Sequence, residues 1–315
     1  MEGTKLIVIA IGGNSLIEDP KNVTVYAQEE AARKTCSHIV KLIKAGHKVV
    51  IVHGNGPQVG YILRRAEIAK EVLHTVPLDS CVADTQGAIG YNLQMGMYNE
   101  FAKLGMKSPV ATVVTQVVVD KNDPSFSRPT KPIGSFMNEA DALEQRDKAG
   151  WSIMEDAGRG FRRVVPSPRP QRIIEEDSIK AMIKDGVTVI AAGGGGIPVT
   201  EEDGLLMPQE AVIDKDFAAA LLAKSIGADM LVISTAVEKV YTNFGKADQR
   251  ALNEVNIEEL KELVTEGHFA PGSMLPKIQA IIDFVEITGN RGLITDPAHL
   301  SEGLDGKTGT HIVRE

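Results

Sequence analysis

Three lysines stand in settings that a solvated surface seldom gives them. Lys131 lies in Pro129-Thr130-Lys131-Pro132, Lys215 in Val212-Ile213-Asp214-Lys215-Asp216, and Lys277 closes Gly272-Ser273-Met274-Leu275-Pro276-Lys277. Lysines on an exposed helix face usually have polar neighbours; these have small or apolar ones. Phosphoryl transfer asks little covalent chemistry of a protein and much neutralisation of charge, and the Lys ammonium is a compact cation suited to that task. Asp214 and Asp216 flank Lys215, where they would orient its ammonium or bind a metal ion. Taken alone, Lys215 also fits an ordinary ion pair at a surface turn.

Glycine turns are the second chemical feature: Gly12-Gly13-Asn14, His53-Gly54-Asn55-Gly56, and the run 193–196. Without a Cβ the backbone N–H groups approach a phosphate closely, and a following helix N-terminus adds favourable partial charge. Pro57 falls where a helix start tolerates proline, so 53–57 reads as strand, tight turn, helix. One such turn alone is explained by tight βα geometry; three together point to one anion-binding cleft. Two familiar motifs fail on spacing. Gly306-Lys307-Thr308 resembles the end of a P-loop, but Ser301 occupies the required upstream glycine position. Gly54, Gly56 and Gly60 are one residue too long for a dinucleotide fingerprint. The seven histidines show no metal-ligand spacing, and no nucleophile motif occurs. Chemistry is therefore left to cations and backbone dipoles.

The elements that must hold these residues follow a βαβ rhythm. Apolar, β-branched runs at 6–11, 49–52, 110–114, 187–191 and 231–233 alternate with amphipathic stretches, as in a mostly parallel sheet. Several run straight into the glycine turns, and open α/β sheets bind ligands beyond their strands' carboxyl ends. From about 120 to 170 the composition shifts to Pro, Gly, Arg and Lys, which predicts a small subdomain projecting from the edge. Apolar spacing at Phe136, Leu143, Trp151 and Ile153 favours order there.

With 315 residues, 43% of them hydrophobic, the chain can bury a large core without staples. A formal net charge of -8 argues against a nucleic-acid partner. The two cysteines, Cys36 and Cys81, read as buried small side chains. The first apolar run is too short for a signal peptide, and no run approaches the roughly 20 residues that span a bilayer. A cytoplasmic protein with no membrane partner is expected.

These segments together, with Ala211-Val212-Ile213-Asp214-Lys215-Asp216 and the stretch from Gly193 to Pro198, resemble the amino acid kinase superfamily, and within it the carbamate kinases. The resemblance runs nearly end to end. Its most specific parts are 129–134, Glu155-Asp156-Ala157-Gly158-Arg159-Gly160 and 165–170 in the insertion. It implies a three-layer αβα sandwich with a mainly parallel sheet, a homodimer, and transfer between MgATP and carbamate to give ADP and carbamoyl phosphate. Residues 1–210 would form a lobe for the carbamoyl end, with the protrusion at about 120–170, and 211–315 a nucleotide lobe. Gly12, Gly13, Asn14, Gly54, Asn55 and Gly56 would surround carbamate and the moving phosphoryl group. Lys131 would reach in from the insertion, Lys215 and Lys277 would flank the phosphates, and Asp216 would organise the lysines. Asp214, Thr235, Val237, Phe244, Met274 and Pro276 would lie on the nucleotide side. Magnesium would arrive with the nucleotide rather than in a protein cage. Two positions depart from the family pattern: Glu238 replaces an aspartate and Phe244 a tyrosine. Net flux toward ATP, in arginine breakdown or related catabolism, is the expected physiology. Another small-carboxylate kinase and a non-catalytic nucleotide sensor are the rival readings.

Overall fold

The apolar runs become the middle of an eight-stranded sheet in a computed structural model that describes residues 3–12, 16, 22–156, 158 and 160–315. In spatial order the strands are Glu254–Asn256, Thr310–Val313, Arg291–Thr295, Met230–Ser234, Leu6–Ile11, Lys48–His53, Thr188–Ile190 and Val110–Thr112. The six from Arg291–Thr295 to Val110–Thr112 are mutually parallel. Thr310–Val313 runs antiparallel to Arg291–Thr295. The central strands are apolar at nearly every position because both faces are covered. Ile7, Ile9 and Ile11 pack with Val40, Leu93, Met97 and Phe101, from the helices Val25–Lys44 and Leu78–Lys103. Val8 and Ala10 face Ala219, Leu222, Ile281 and Val285, from the helices Lys215–Ser225 and Met274–Thr288. Each such fully buried Val, Leu, Ile, Met or Phe side chain contributes about 2 kcal/mol, and each alanine less. The result is the expected three-layer αβα sandwich.

Parallel pairing has one consequence for chemistry. Ile11, His53, Ile190, Ser234 and Thr295 all end their strands on the same edge of the sheet, and the loops that follow them meet there.

Lys131–Met137, Phe161–Val165 and Ser152–Glu155 form a separate three-stranded antiparallel sheet. Its helix, Glu139–Ala149, is capped by Asn138, whose side chain accepts from the Asp141 amide, and is closed by left-handed Gly150. Arg163 lies over Trp151 at 5.0 Å and Arg162 over Phe136 at 5.2 Å. These stacks give a sheet with few buried residues its order. Its backbone meets the helix Gly56–Ala69 closely: a Cβ at Gly60 would lie 3.1 Å from the Gly134 Cα.

Candidate active site

The lysines are organised by the start of one helix. Asp214 is the N-cap of Lys215–Ser225, and its side chain accepts from the Asp216 amide at 2.9 Å. That turn places Asp214, Lys215 and Asp216 at the same end of the helix. Lys215 Nζ reaches Asp216 Oδ1 at 2.5 Å, Lys277 Nζ reaches Asp216 Oδ2 at 2.8 Å, and Lys131 Nζ reaches Asp214 Oδ2 at 2.7 Å. Lys277 comes from the first turn of Met274–Thr288, and Lys131 from the first strand of the inserted sheet. Three ammonium groups thus share two carboxylates, an excess of one positive charge.

Burial sets the electrostatics. It pushes the Asp216 carboxyl upward, but the charges and hydrogen bonds of Lys215 and Lys277 more than reverse this and hold it at about 2. Burial pulls the Lys215 ammonium below the ordinary lysine value, with Lys277 adding to that pull and Asp216 opposing it. A group of cations kept together at this cost is poised to gain from an incoming anion.

The glycine turns divide into two kinds. Gly12 and Gly54 line the strand ends: a Cβ at Gly12 would come 3.2 Å from the Ser234 carbonyl, and one at Gly54 3.3 Å from Lys215 Cδ. The Gly54 amide is spent on the Ile11 carbonyl at 3.1 Å, so its part is to let Lys215 lie close, not to donate to a phosphate. The helix Gly56–Ala69 begins just beyond, with Asn55 at its N-cap position and Gly56 among the first N–H groups, which lack intrahelical partners. Gly13 and Asn14 lie outside the described residues.

The third glycine run is packed more tightly than the other two. Gly193, Gly194 and Gly195 are buried, and Gly194 is left-handed at φ 68°. Cβ atoms there would come 2.3 Å from His53 Nε2, 2.1 Å from Asn55 Nδ2 and 2.1 Å from the Ile213 carbonyl. The run is packed against protein on these sides, so it forms a floor joining the 53–56 turn to the 211–216 loop.

Beneath that floor lie Gln86 and Thr85, two residues the motifs did not include, together with His53 of the second turn. Gln86 donates to the carbonyls of Thr115 at 3.1 Å and Gly193 at 3.0 Å, and accepts from the Thr115 amide at 2.8 Å. Thr85 Oγ1 accepts from Asn55 Nδ2 at 2.8 Å. His53 donates from Nδ1 to the Gly54 carbonyl at 3.0 Å, and burial pulls it down to about 4, so it is neutral. A signal existed for the first two: they are polar residues on the buried stripe of Val82, Ile89 and Leu93.

The nucleotide-side positions follow the next strand ends. The Thr235 amide donates to the Thr295 carbonyl at 2.8 Å, and Val237 is half-buried. Glu238 accepts a close hydrogen bond from Thr308 Oγ1, so the segment that mimics a P-loop serves to hold this longer acid. Phe244 is exposed, with its ring 5.9 Å from that of Tyr241. Met274 and Pro276 occupy the helix turn that carries Lys277. No group of three His, Cys, Asp or Glu side chains suited to a metal occurs among the described residues, and both Asp216 oxygens are taken by lysines.

Comparison with known proteins places this arrangement. Residues 5–296 match the model of the amino acid kinase family. The chain is 51% identical over 314 residues to the carbamate kinase-like protein YahI of Escherichia coli, covering 98% of this chain and 99% of that one. It is 48% identical over 313 residues to the carbamate kinase of Clostridium perfringens, covering 98% and 99%. The solved structure of the carbamate kinase from Giardia lamblia bound to AMP-PNP superposes with a TM-score of 0.93 at 41% identity, covering 100% of both chains.

Proposed function

The chain belongs to the amino acid kinase family, and from that premise we propose that it is an ATP-dependent carbamate kinase. The reaction is ATP + carbamate to ADP + carbamoyl phosphate and its reverse. The observation that carries this reading is the joining of Lys131, Lys215 and Lys277 through Asp214 and Asp216, at the sheet edge where the strands end.

The mechanism needs no general base. Carbamate is already an anion, and its oxygen attacks the γ-phosphorus as the bond to the β-phosphate oxygen breaks and the electron pair leaves with ADP. What opposes reaction is the meeting of like charges, about 4 kcal/mol per pair at 4 Å and an effective dielectric near 20. Lys215 and Lys277 would flank the transferred group, and Lys131 would come from the inserted sheet to the acceptor side. Asp216 pairs with the first two and would keep them correctly aimed. Gly12, Gly13, Asn14, Gly54, Asn55 and Gly56 would wall the acceptor and phosphoryl positions. Asp214, Thr235, Val237, Phe244, Met274 and Pro276 would border the nucleotide.

An ATP-dependent kinase works with a divalent ion, which we take to be Mg²⁺ bound through the nucleotide's phosphates. When bound it neutralises phosphate charge. The carboxylates of Asp214 and Asp216 are committed to lysines, which fits an ion held mainly by its nucleotide. Residues 1–210 would serve as the carbamoyl lobe and 211–315 as the nucleotide lobe, in a cytoplasmic homodimer. The greater reactivity of the acyl phosphate favours net flux toward ATP, and arginine breakdown or a related route would supply the carbamoyl phosphate.

The test is to supply ADP, Mg²⁺ and carbamoyl phosphate and measure ATP. Rapid ATP formation is expected. Its absence, with phosphorylation of a different small acid or nucleotide binding without turnover, would overturn the reading.

A further inference from the structure

Asn55 is at a helix N-cap, yet its side chain does not cap the helix. Asparagine at that position normally spends its Oδ1 on the second or third N–H of the helix. Here the side chain turns instead to the long helix Leu78–Lys103, where Nδ2 donates to Thr85 Oγ1 at 2.8 Å. Thr85 Oγ1 has a single proton, and that proton goes to the Val82 carbonyl at 2.7 Å. Towards Asn55 the hydroxyl is therefore an acceptor only, and the amide must present its NH₂ end to it. A flipped amide would set two oxygens against each other in a buried setting, since Thr85 is 1% exposed. Gly194 packs its bare backbone against the whole amide, where a Cβ would lie 2.1 Å from Nδ2 and 2.9 Å from Oδ1, so the side chain has little room to move away from Thr85. The opposite end, Oδ1, receives no hydrogen bond from any described residue, and it is not among the sealed, orphaned atoms of the interior.

We propose that Thr85 is a positioning residue that fixes the Asn55 carbonyl as an acceptor turned to the substrate, so that the site selects an acceptor carrying N–H. Carbamate has an NH₂ where acetate has a methyl group, and only the former can donate to Oδ1. An acceptor oxygen left unpaired against a methyl group discriminates more strongly than lost apolar contact does. The proposal rests on the carbamate kinase reading and adds to it the means by which carbamate is told from an isosteric carboxylate.

The experiment compares ATP formation from ADP with carbamoyl phosphate and with acetyl phosphate, in the wild type, Thr85→Val and Thr85→Ser. Valine keeps the shape and removes the acceptor; serine keeps the acceptor. The expected result is a wild-type preference for carbamoyl phosphate in kcat/KM. That preference should fall about tenfold or more in Thr85→Val, through carbamoyl phosphate alone, and persist in Thr85→Ser. Where Thr85→Val does not fold, by circular dichroism, Thr85→Ala gives the same ratio. Parallel loss of both activities, or an unchanged ratio, would overturn the proposal and leave the kinase reading standing. A wild type that makes no ATP from carbamoyl phosphate would remove both.

Discussion

Asp216 is the residue on which the site's charges converge, and it makes the sharpest predictions. Its carboxylate is nearly fully buried between two ammonium groups. Replacing it by Asn leaves Lys215 and Lys277 facing each other without a counter-charge. Breaking a buried pair in this way costs about 3 kcal/mol or more, which for a chain of this size is a fall in Tm of about 5 °C. The pH dependence has a definite sign. A carboxyl held at about 2, against an ordinary 3.8, stabilises the fold fully above the higher value, and that stability is lost as pH falls through the lower. The Tm gap between wild type and Asp216→Asn should therefore be constant above about pH 4 and narrow between 4 and 2; calorimetry across that range checks it. Lys215→Ala leaves fold and Asp216 in place but removes the central cation, so turnover should drop at least about a hundredfold. Near-normal turnover in folded Lys215→Ala would sink its assigned role.

At the scale of elements, the buried glycine floor explains why a tight turn and a helix start can share one site. Gly194 and Gly227 are both left-handed, at φ 68° and 67°, yet only Gly194 has atoms in the space of its Cβ. Gly227→Ala should cost about 1–2 kcal/mol from backbone strain alone, with activity intact. Gly194→Ala carries the same strain and displaces Asn55, so its Tm should fall further and its turnover at least about tenfold; thermal melts and the ATP assay on the pair separate the two effects. The contrast also marks what the sequence could reveal. The strands at 6–11, 49–52 and 231–233 were legible because burial on both faces forces near-continuous apolar residues. Lys131, Lys215 and Lys277 stood out because their neighbours are not polar. The role of 193–196 was not legible, since glycine that admits a phosphate and glycine that admits a neighbouring backbone read alike. Thr85 and Gln86 stayed hidden because only the fold shows which polar atoms on a buried stripe meet loops 29 to 107 residues away.

For the whole molecule, the question is how an acidic chain of net charge -8 draws anionic substrates together. The positive excess is confined to one place and assembled from three distant segments, of which the inserted sheet supplies Lys131. Lys131 differs from the other two lysines in its surroundings. Its side chain is 38% exposed, against 12% for Lys215 and 16% for Lys277. Its pair with Asp214 is accordingly weak, worth about 1 kcal/mol or less after solvent screening. A cation that gives up its protein partner at so little cost is free to turn to the substrate when one arrives. Lys131→Ala should therefore separate function from stability: Tm within about 2 °C of wild type, and kcat/KM for carbamoyl phosphate lower by at least about tenfold. Asp216→Asn, by contrast, should lose both. If Lys131→Ala instead unfolds the inserted sheet, seen as new proteolytic cleavage between residues 131 and 165, the lysine holds the protrusion in place and another cation must meet the acceptor.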